Sequence, residues 1–300
     1  MDKKYDGWFL YSRKVYNNKI EKCNDIKMME YAKEKGLDIK ILCAQDFVIE
    51  TGEKNKIYYQ GKEVINLPKF VVMRRYDIYL SRQFEMLGVR VINKSQAMID
   101  ARNKLKTYQI LAEKGIPIPK TFYQVTRRTS QEITYEEASK YLGSNKFIMK
   151  WVFGSQGSAV FLVEDKEHFD EIINKYEGIC MLQEFIETSF GRDIRAYVLG
   201  GRYVGAAIRK SQGDFRSNLA LGGDALNFEY DEKVAHLAEE AAKALDLDIA
   251  GVDILFGKDG YIVCEVNALP GFKSLYRTTG LKGTELIIDM AKEIIERENL

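Results

Sequence analysis

Gly251-Val252-Asp253-Ile254-Leu255-Phe256-Gly257-Lys258-Asp259-Gly260-Tyr261-Ile262-Val263-Cys264-Glu265-Val266-Asn267 contains two strand-like runs joined by a glycine-flanked polar turn, which reads as a hairpin. Side chains alternate along a strand, so Glu265 and Asn267 share one face while Cys264 and Val266 take the other. The position of Asp253 depends on the turn. A three-residue loop, Lys258-Asp259-Gly260, sets Asp253 opposite Glu265, with Gly260 in the left-handed conformation. A two-residue loop pairs Asp253 with Cys264 and disperses the cluster. We adopt the longer loop. Two carboxylates and an amide oxygen on one sheet face suit one or two hard cations, magnesium or manganese, that also hold phosphate oxygens. An exposed polar face of an ordinary hairpin reads equally well at this point.

Composition narrows the alternatives. The chain has 300 residues, of which 46% are hydrophobic, enough for a sizeable core and about two domains. Its 45 basic residues nearly balance 44 acidic ones, so there is no global basic field for nucleic acid or an anionic membrane. No run approaches the length of a membrane span, and no apolar signal segment follows Met1-Asp2-Lys3-Lys4. The cysteines Cys23, Cys43, Cys180 and Cys264 are scattered and read as reduced thiols of a cytoplasmic protein. His168 and His236 are the only histidines, too few for a zinc centre or a Ser-His-Asp arrangement. His236 reads as structural and His168 as exposed.

The first ninety-odd residues alternate strand and helix signals. Strands are expected at 8–11, 39–42, 70–73 and 89–92, and helices at 24–35 and 79–87, with a small hairpin at 57–64. Such alternation favours a mostly parallel sheet. A helix at 103–114 ends at Gly115, and Pro117 and Pro119 mark a domain boundary. Beyond it the pattern is strand-rich, with runs at 146–150, 159–163 and 180–183. Val234, Leu237, Ala238, Ala241 and Leu245 recur at helical spacing and read as core.

A second polar cluster begins at Lys150, followed by Trp151-Val152-Phe153-Gly154-Ser155-Gln156-Gly157-Ser158. A lysine beside a small-residue loop can meet phosphate oxygens as a point charge, although the G-x-x-x-x-G-K-[ST] pattern is absent. A plain turn with a surface lysine is the alternative. Asp193 and Arg195 fall on one strand face, where a cross-face ion pair is also a fair reading. Gly213-Asp214-Phe215-Arg216-Ser217-Asn218 precedes Gly222-Gly223 and otherwise reads as a surface loop.

Taken in order, these strings resemble the RimK-like branch of the ATP-grasp superfamily over about residues 95–290. The matching strings begin with Ala101-Arg102-Asn103-Lys104-Leu105, Lys150 with Gly154-Ser155-Gln156-Gly157, and Gln183-Glu184-Phe185-Ile186. They continue with Asp193-Ile194-Arg195, Gly213 to Leu219, Ala250 to Leu255, and Glu265-Val266-Asn267-Ala268-Leu269-Pro270-Gly271. The resemblance implies an α+β and α/β, three-lobed ATP-grasp fold: an N-terminal α/β lobe (1–95), a central lobe (96–180) and a C-terminal lobe (181–300), the last two gripping ATP. It implies that Lys104 and Lys150 contact phosphates, with Gly154, Ser155, Gln156 and Gly157 closing over them. Gln183, Glu184 and the Phe185 backbone would meet the base, and Asp193 would lie near the ribose. Arg216, Ser217 and Asn218 would line the reacting end. Asp253, Glu265 and Asn267 would hold magnesium, with Glu265 bridging two ions. Arg195 and Arg216 are the candidates for gripping the donor carboxylate or its acyl phosphate.

The chain departs from that pattern at Gly157-Ser158-Ala159 and at Leu221, where relatives tend to have another glycine and an arginine. The implied reaction joins a small carboxylate or amino acid to an amine acceptor: a protein, a peptide or a metabolite. Assembly into dimers or tetramers follows by analogy only. A ligase for peptide-like natural products and a nucleotide-binding module without turnover are the competing readings. Retention of Asp253, Glu265 and Asn267 argues against the module.

Overall fold

The computed structural model describes residues 3–21, 24–125, 133–154, 159–176, 178–217 and 223–299. The N-terminal lobe runs β1 (Gly7–Tyr11), α1 (Arg13–Glu21), α2 (Asn24–Glu34), β2 (Ile39–Cys43), β3 (Phe47–Glu50), β4 (Lys56–Tyr59), β5 (Lys62–Glu63), β6 (Phe70–Met73), α3 (Ile78–Met86) and β7 (Arg90–Ile92). Strands β2-β1-β6-β7 form an all-parallel sheet, as the alternation implies. Parallel strands need cover on both faces, which accounts for the unbroken apolar runs GWFLY and FVVM. One face packs on α2 residues Met28 and Ala32, and the other on Phe84 of α3 and the small β3-β4-β5 sheet. The expected hairpin is thus part of a three-stranded sheet. Helix α1 has no buried residue, so no apolar period marks it in the sequence.

Helices α4 (Ser95–Arg102) and α5 (Lys104–Glu113) lead into β8 (Thr121–Phe122), α6 (Tyr135–Leu142), β9 (Phe147–Trp151), β10 (Val160–Val163), α7 (Lys166–Lys175) and β11 (Cys180–Glu184). Here the strand order is β10-β9-β11-β8, with every pair antiparallel. Asn103 caps α5 by accepting from the Lys106 amide, which fixes where Lys104 stands.

The last segment contains β12 (Arg192–Leu199), β13 (Arg202–Lys210), β14 (Asp224–Asn227), α8 (Glu232–Ala244), β15 (Ile249–Phe256), β16 (Tyr261–Asn267), α9 (Lys273–Thr279) and α10 (Gly283–Glu298). A five-stranded antiparallel sheet has the order β14-β13-β12-β15-β16. One face packs against α8 through Val234, Ala238 and Ala241, the residues expected to be core. Helix α10 sends Ile287, Ile288 and Ile294 to the core beneath β1 and β6 and binds the two ends of the molecule together. Asn93 adds a buried polar tie: it accepts from the Ile249 amide at 2.8 Å and donates to Ile249 and Ala268 carbonyls at 2.8 Å each. His236 is exposed on α8, while His168 is half-buried rather than exposed because it opens α7 above Asp165. Among the described residues, no helix is long and apolar enough to cross a membrane.

Candidate active site

The cleft lies between the β10-β9-β11-β8 sheet and the five-stranded sheet. It encloses about 860 Å³ of open space, its mouth included, enough for a nucleotide-sized ligand. Lys104, Ile148, Lys150 and Gly154 line one wall, and Asp193, Arg209, Asp253 and Glu265 the other. Glu184, Phe185, Ile186, Phe215, Arg216 and Ser217 also line the cleft.

Lys150 lies on β9 opposite Val160 and Met181, and it is buried. Its ammonium reaches the Tyr108 hydroxyl at 3.2 Å and Cys264 Sγ at 3.5 Å. Burial alone would push this lysine down. The surrounding Cys264, Tyr108 and Glu265 more than offset that and hold it above its ordinary value. The ammonium therefore stays charged inside the cleft. Burial pushes the Tyr108 phenol up to about 12. Lys104 Nζ donates to the Gly154 carbonyl at 2.9 Å, and its own amide donates to Val152. Burial lowers its pKa, and neighbouring Lys150 adds to the shift while Glu265 opposes it.

On the facing sheet the hairpin behaves in an unexpected way. Near the turn, Phe256 pairs with Tyr261 and Ile254 with Val263, the register of the shorter loop. A β-bulge then inserts Cys264 as an extra residue, and Asp253 faces Glu265 after all. The expected pairing forms, but the bulge provides it and the three-residue loop does not. Gly260 has φ 149°, far from the left-handed helical value expected of it. The bulge also overturns the placement of Cys264. It lines the cleft beside Glu265 and reaches Lys150, where alternation put it on the opposite face.

Asp253 is buried and held by two arginines. Arg195 makes a bidentate contact, with Nη2 2.6 Å from Oδ2, and Arg209 Nη2 lies 2.9 Å from the same oxygen. Burial would raise this carboxyl, but Arg195 and Arg209 hold it below the usual carboxylate range. Arg209 also grips Asp193, its Nε 2.7 Å from Oδ1, so Asp193 spends its carboxylate on an arginine. The sequence reading missed Arg209. It lies opposite Asp193 only because a second bulge, at Val204, shifts the β12–β13 register between Tyr197 and Val198. The Gly200-Gly201 turn signals a hairpin, but counting back from it pairs Asp193 with residue 208 instead.

The other expected residues sort as follows. Gln183 is buried and donates to Thr121 Oγ1 at 2.9 Å. Glu184 accepts from the Lys120 amide at 3.2 Å at the cleft's edge. Phe185 packs edge-on against Phe190. Arg216 is held by Asp214 at 2.7 Å, and Ser217 is buried beside it. Ser155, Gln156, Gly157 and Asn218 lie outside the described residues, as do Ser158, Leu221 and Gly222.

Can this donor set hold a magnesium ion? Among the described residues, no three His, Cys, Asp or Glu side chains cluster to form a site by themselves. The Glu265 carboxylate has no hydrogen-bond or ion-pair partner among them. Asn267 lies opposite Gly251, and its amide nitrogen makes only a 3.5 Å contact, which leaves the oxygen open. Asp253 has about four lone-pair positions, of which the arginines take three. The set therefore offers Glu265, the Asn267 oxygen and one position on Asp253. That fits a hard cation that completes its shell with phosphate and water oxygens.

A family model for the RimK-like ATP-grasp domain matches residues 101–297. A probable alpha-L-glutamate ligase of Methanococcoides burtonii is 32% identical over 288 residues, covering 93% of this chain and 92% of that protein. The chain belongs to the RimK-like ATP-grasp family. A probable alpha-L-glutamate ligase of Aliivibrio fischeri is 31% identical over 277 residues, covering 89% and 90% of the two chains. The fold is shared more widely. The ATP-grasp ligase PsnB, solved with its minimal precursor, superposes with TM-score 0.72 at 19% identity, covering 96% of this chain and 99% of that one. The D-alanine–D-alanine ligase of Bacillus anthracis, solved with ATP, gives 0.67 at 17% identity, covering 98% and 99%. This RimK-like chain thus has the ATP-grasp fold implied by its motifs, and it is an enzyme of the ligase class.

Proposed function

We propose that this RimK-like enzyme uses ATP and magnesium to join a carboxylate to an amine, adding glutamate or a similar amino acid to a protein, peptide or metabolite. The observation that carries the reading is the meeting of Lys104 and Lys150 with Asp253 and Glu265 across one cleft. The names of its relatives support glutamate, and PsnB, solved with a precursor peptide, supports a peptide-like partner.

A carboxylate is a poor acylating agent. Transfer of the γ-phosphoryl group to a carboxylate oxygen breaks the bond to ADP and leaves an acyl phosphate. The amine nitrogen then attacks the acyl carbon, the bond to phosphate breaks, and the amine loses a proton as the amide forms. Such chemistry needs charge neutralisation and positioning more than acid–base groups, which suits a cleft without histidine among its described residues.

In this reading Lys104 and Lys150 bind phosphate oxygens, and the Phe185 backbone with Glu184 meets the base. Asp193 lies toward the ribose. Gly154, whose carbonyl accepts from Lys104 Nζ, would lie beside the phosphates. Arg216, with Ser217, lines the reacting end. Arg195 releases Asp253 in part to hold the donor carboxylate. Glu265, Asn267 and Asp253 would hold one or two magnesium ions, which when bound neutralise phosphate charge.

The test is Glu265→Gln, assayed for magnesium-dependent ADP formation over a panel of amino acids and acceptors. We expect at least a hundredfold loss of turnover. Full magnesium-dependent turnover in the variant would remove the metal site from the proposal.

A further inference from the structure

A lysine side chain is a compact charge on a flexible four-carbon stem, so a lysine that meets phosphate oxygens at a fixed place must be held there. Lys150 is held from behind the cleft. Its ammonium donates to the Tyr108 hydroxyl at 3.2 Å and to Cys264 Sγ at 3.5 Å, and it lies 5.8 Å from the centre of the Tyr108 ring. Among the described residues no carboxylate is within ion-pair distance of it, and Glu265 acts only from farther off. Two of its three N–H groups are thus engaged, and the third is left for the cleft that Lys150 lines.

The Tyr108 hydroxyl is itself directed. Its proton goes to the Cys264 carbonyl, the nearer acceptor, while Gln183 Oε1 stands farther away at 3.5 Å. A hydroxyl whose proton is committed presents its lone pairs elsewhere, and here they face the ammonium. Burial pushes the phenol up to about 12, so it keeps that proton at neutral pH. Tyr108 is buried and does not line the cleft, so it touches the lysine and not the ligand space.

The two ends of this chain of hydrogen bonds stand on different walls. Lys150 belongs to β9 of the β10-β9-β11-β8 sheet, and Cys264 to β16 of the five-stranded sheet. Helix α5 brings Tyr108 between them. Its Leu111 packs in the core of the five-stranded sheet, and beyond the helix the Pro117 carbonyl accepts from the Val263 amide at 2.8 Å. Lys104 lies one turn before Tyr108, so one face of α5 supplies both. Cys264 is the extra residue of the β15–β16 bulge, and its carbonyl and its thiol both reach this cluster.

We propose that Tyr108 is a positioning residue for ATP: its hydroxyl, braced on the Cys264 carbonyl, aims the Lys150 ammonium at the phosphates and fixes it relative to the strand that carries Glu265. The proposal rests on the ligase reading above, in which Lys150 meets phosphate. Tyr108→Phe keeps the ring and its packing and removes the atom that joins the ammonium to the carbonyl. The lysine stem then regains its freedom, and binding ATP must order it again.

The experiment is calorimetric titration of the full chain with a non-hydrolysable ATP analogue in magnesium and, separately, with adenosine. Wild type is compared with Tyr108→Phe, Lys150→Gln and the double variant. Tyr108→Phe and Lys150→Gln are each expected to weaken the analogue at least tenfold and adenosine less than twofold, since the lysine meets phosphate and not the base. A cleft that merely loses its shape would weaken both ligands. In the double variant Tyr108→Phe is expected to add less than twofold to Lys150→Gln, because it acts through that ammonium. Tyr108→Met, whose adaptable side chain fills the space without a hydroxyl, is the second variant, and the same losses are expected of it. The proposal is overturned if a folded variant at 108 binds the analogue within twofold of wild type, if adenosine weakens equally, or if the two losses multiply in the double variant. It is also overturned if neither variant at 108 folds, which makes Tyr108 structural. The two readings fail separately. A tenfold loss in Lys150→Gln with an indifferent Tyr108→Phe sinks this proposal alone. Absent ADP formation over the substrate panel, with Tyr108-dependent analogue binding, sinks the ligase reading alone.

Discussion

Arg209 binds Asp193 and Asp253 at once, and all three side chains are buried. A buried carboxylate that loses its partner is left uncompensated, at a cost of roughly 3–5 kcal/mol. Arg209→Gln is therefore expected to lower unfolding free energy by about that much at neutral pH, measured by urea denaturation. A loss under about 1 kcal/mol would contradict the network. The pH dependence follows from the sign of the shift. Asp253 is held below its unfolded value, so its stabilisation is full above about pH 4 and fades as pH falls through the lower folded value. The gap between wild type and Arg209→Gln is expected to narrow below about pH 4. Residue types announced this site only in part: Lys150, Asp253 and Glu265 sit in recognisable strings, whereas Arg209 has no string around it. Its importance comes from what lies across the sheet.

At the scale of elements, two hairpins use the same device. The bulge at Cys264 brings Asp253 opposite Glu265, and the bulge at Val204 brings Arg209 opposite Asp193. A one-residue slip turns a side chain to the other face, so each bulge decides which charges enter the cleft. Counting residues from a turn cannot find them, because neither strand sequence marks its extra residue. The close approach of elements also explains Gly251. A β-carbon there would lie 2.7 Å from Pro270 Cβ and 3.3 Å from Arg195 Cδ. Gly251→Ala is expected to destabilise the chain by roughly 1–3 kcal/mol through overpacking. It is also expected to reduce ligase turnover more than tenfold, by displacing Arg195 and the Pro270 loop. Steady-state kinetics beside a urea titration checks both, and unchanged values in both would show that the contact relaxes freely.

At the scale of the molecule, the cleft has no single owner. Its walls belong to two sheets with separate cores, and α10 and Asn93 tie the five-stranded sheet to the N-terminal sheet. A ligand that bridges the walls stabilises the folded arrangement by mass action, about 2.7 kcal/mol at a hundred times its dissociation constant. Magnesium with a non-hydrolysable ATP analogue is thus expected to raise the melting temperature by several degrees in a thermal-shift measurement. The same analogue is expected to shift Glu265→Gln less. An equal shift in that variant would separate nucleotide binding from Glu265.

The sequence by itself determined the parallel N-terminal sheet, the apolar stripe of α8 and the family, because these rest on periodicity and on short strings of local meaning. It also named most of the charged residues of the cleft. The tertiary structure alone decided which of them meet. Asp253 was placed first as a metal ligand opposite Glu265, and that pairing stands, but it is delivered by Cys264 as an extra residue rather than by the loop. The fold adds two arginines that occupy three of the carboxylate's four positions, and it draws Cys264 into the cleft. Register and burial are properties of strands already paired, and no residue carries them alone.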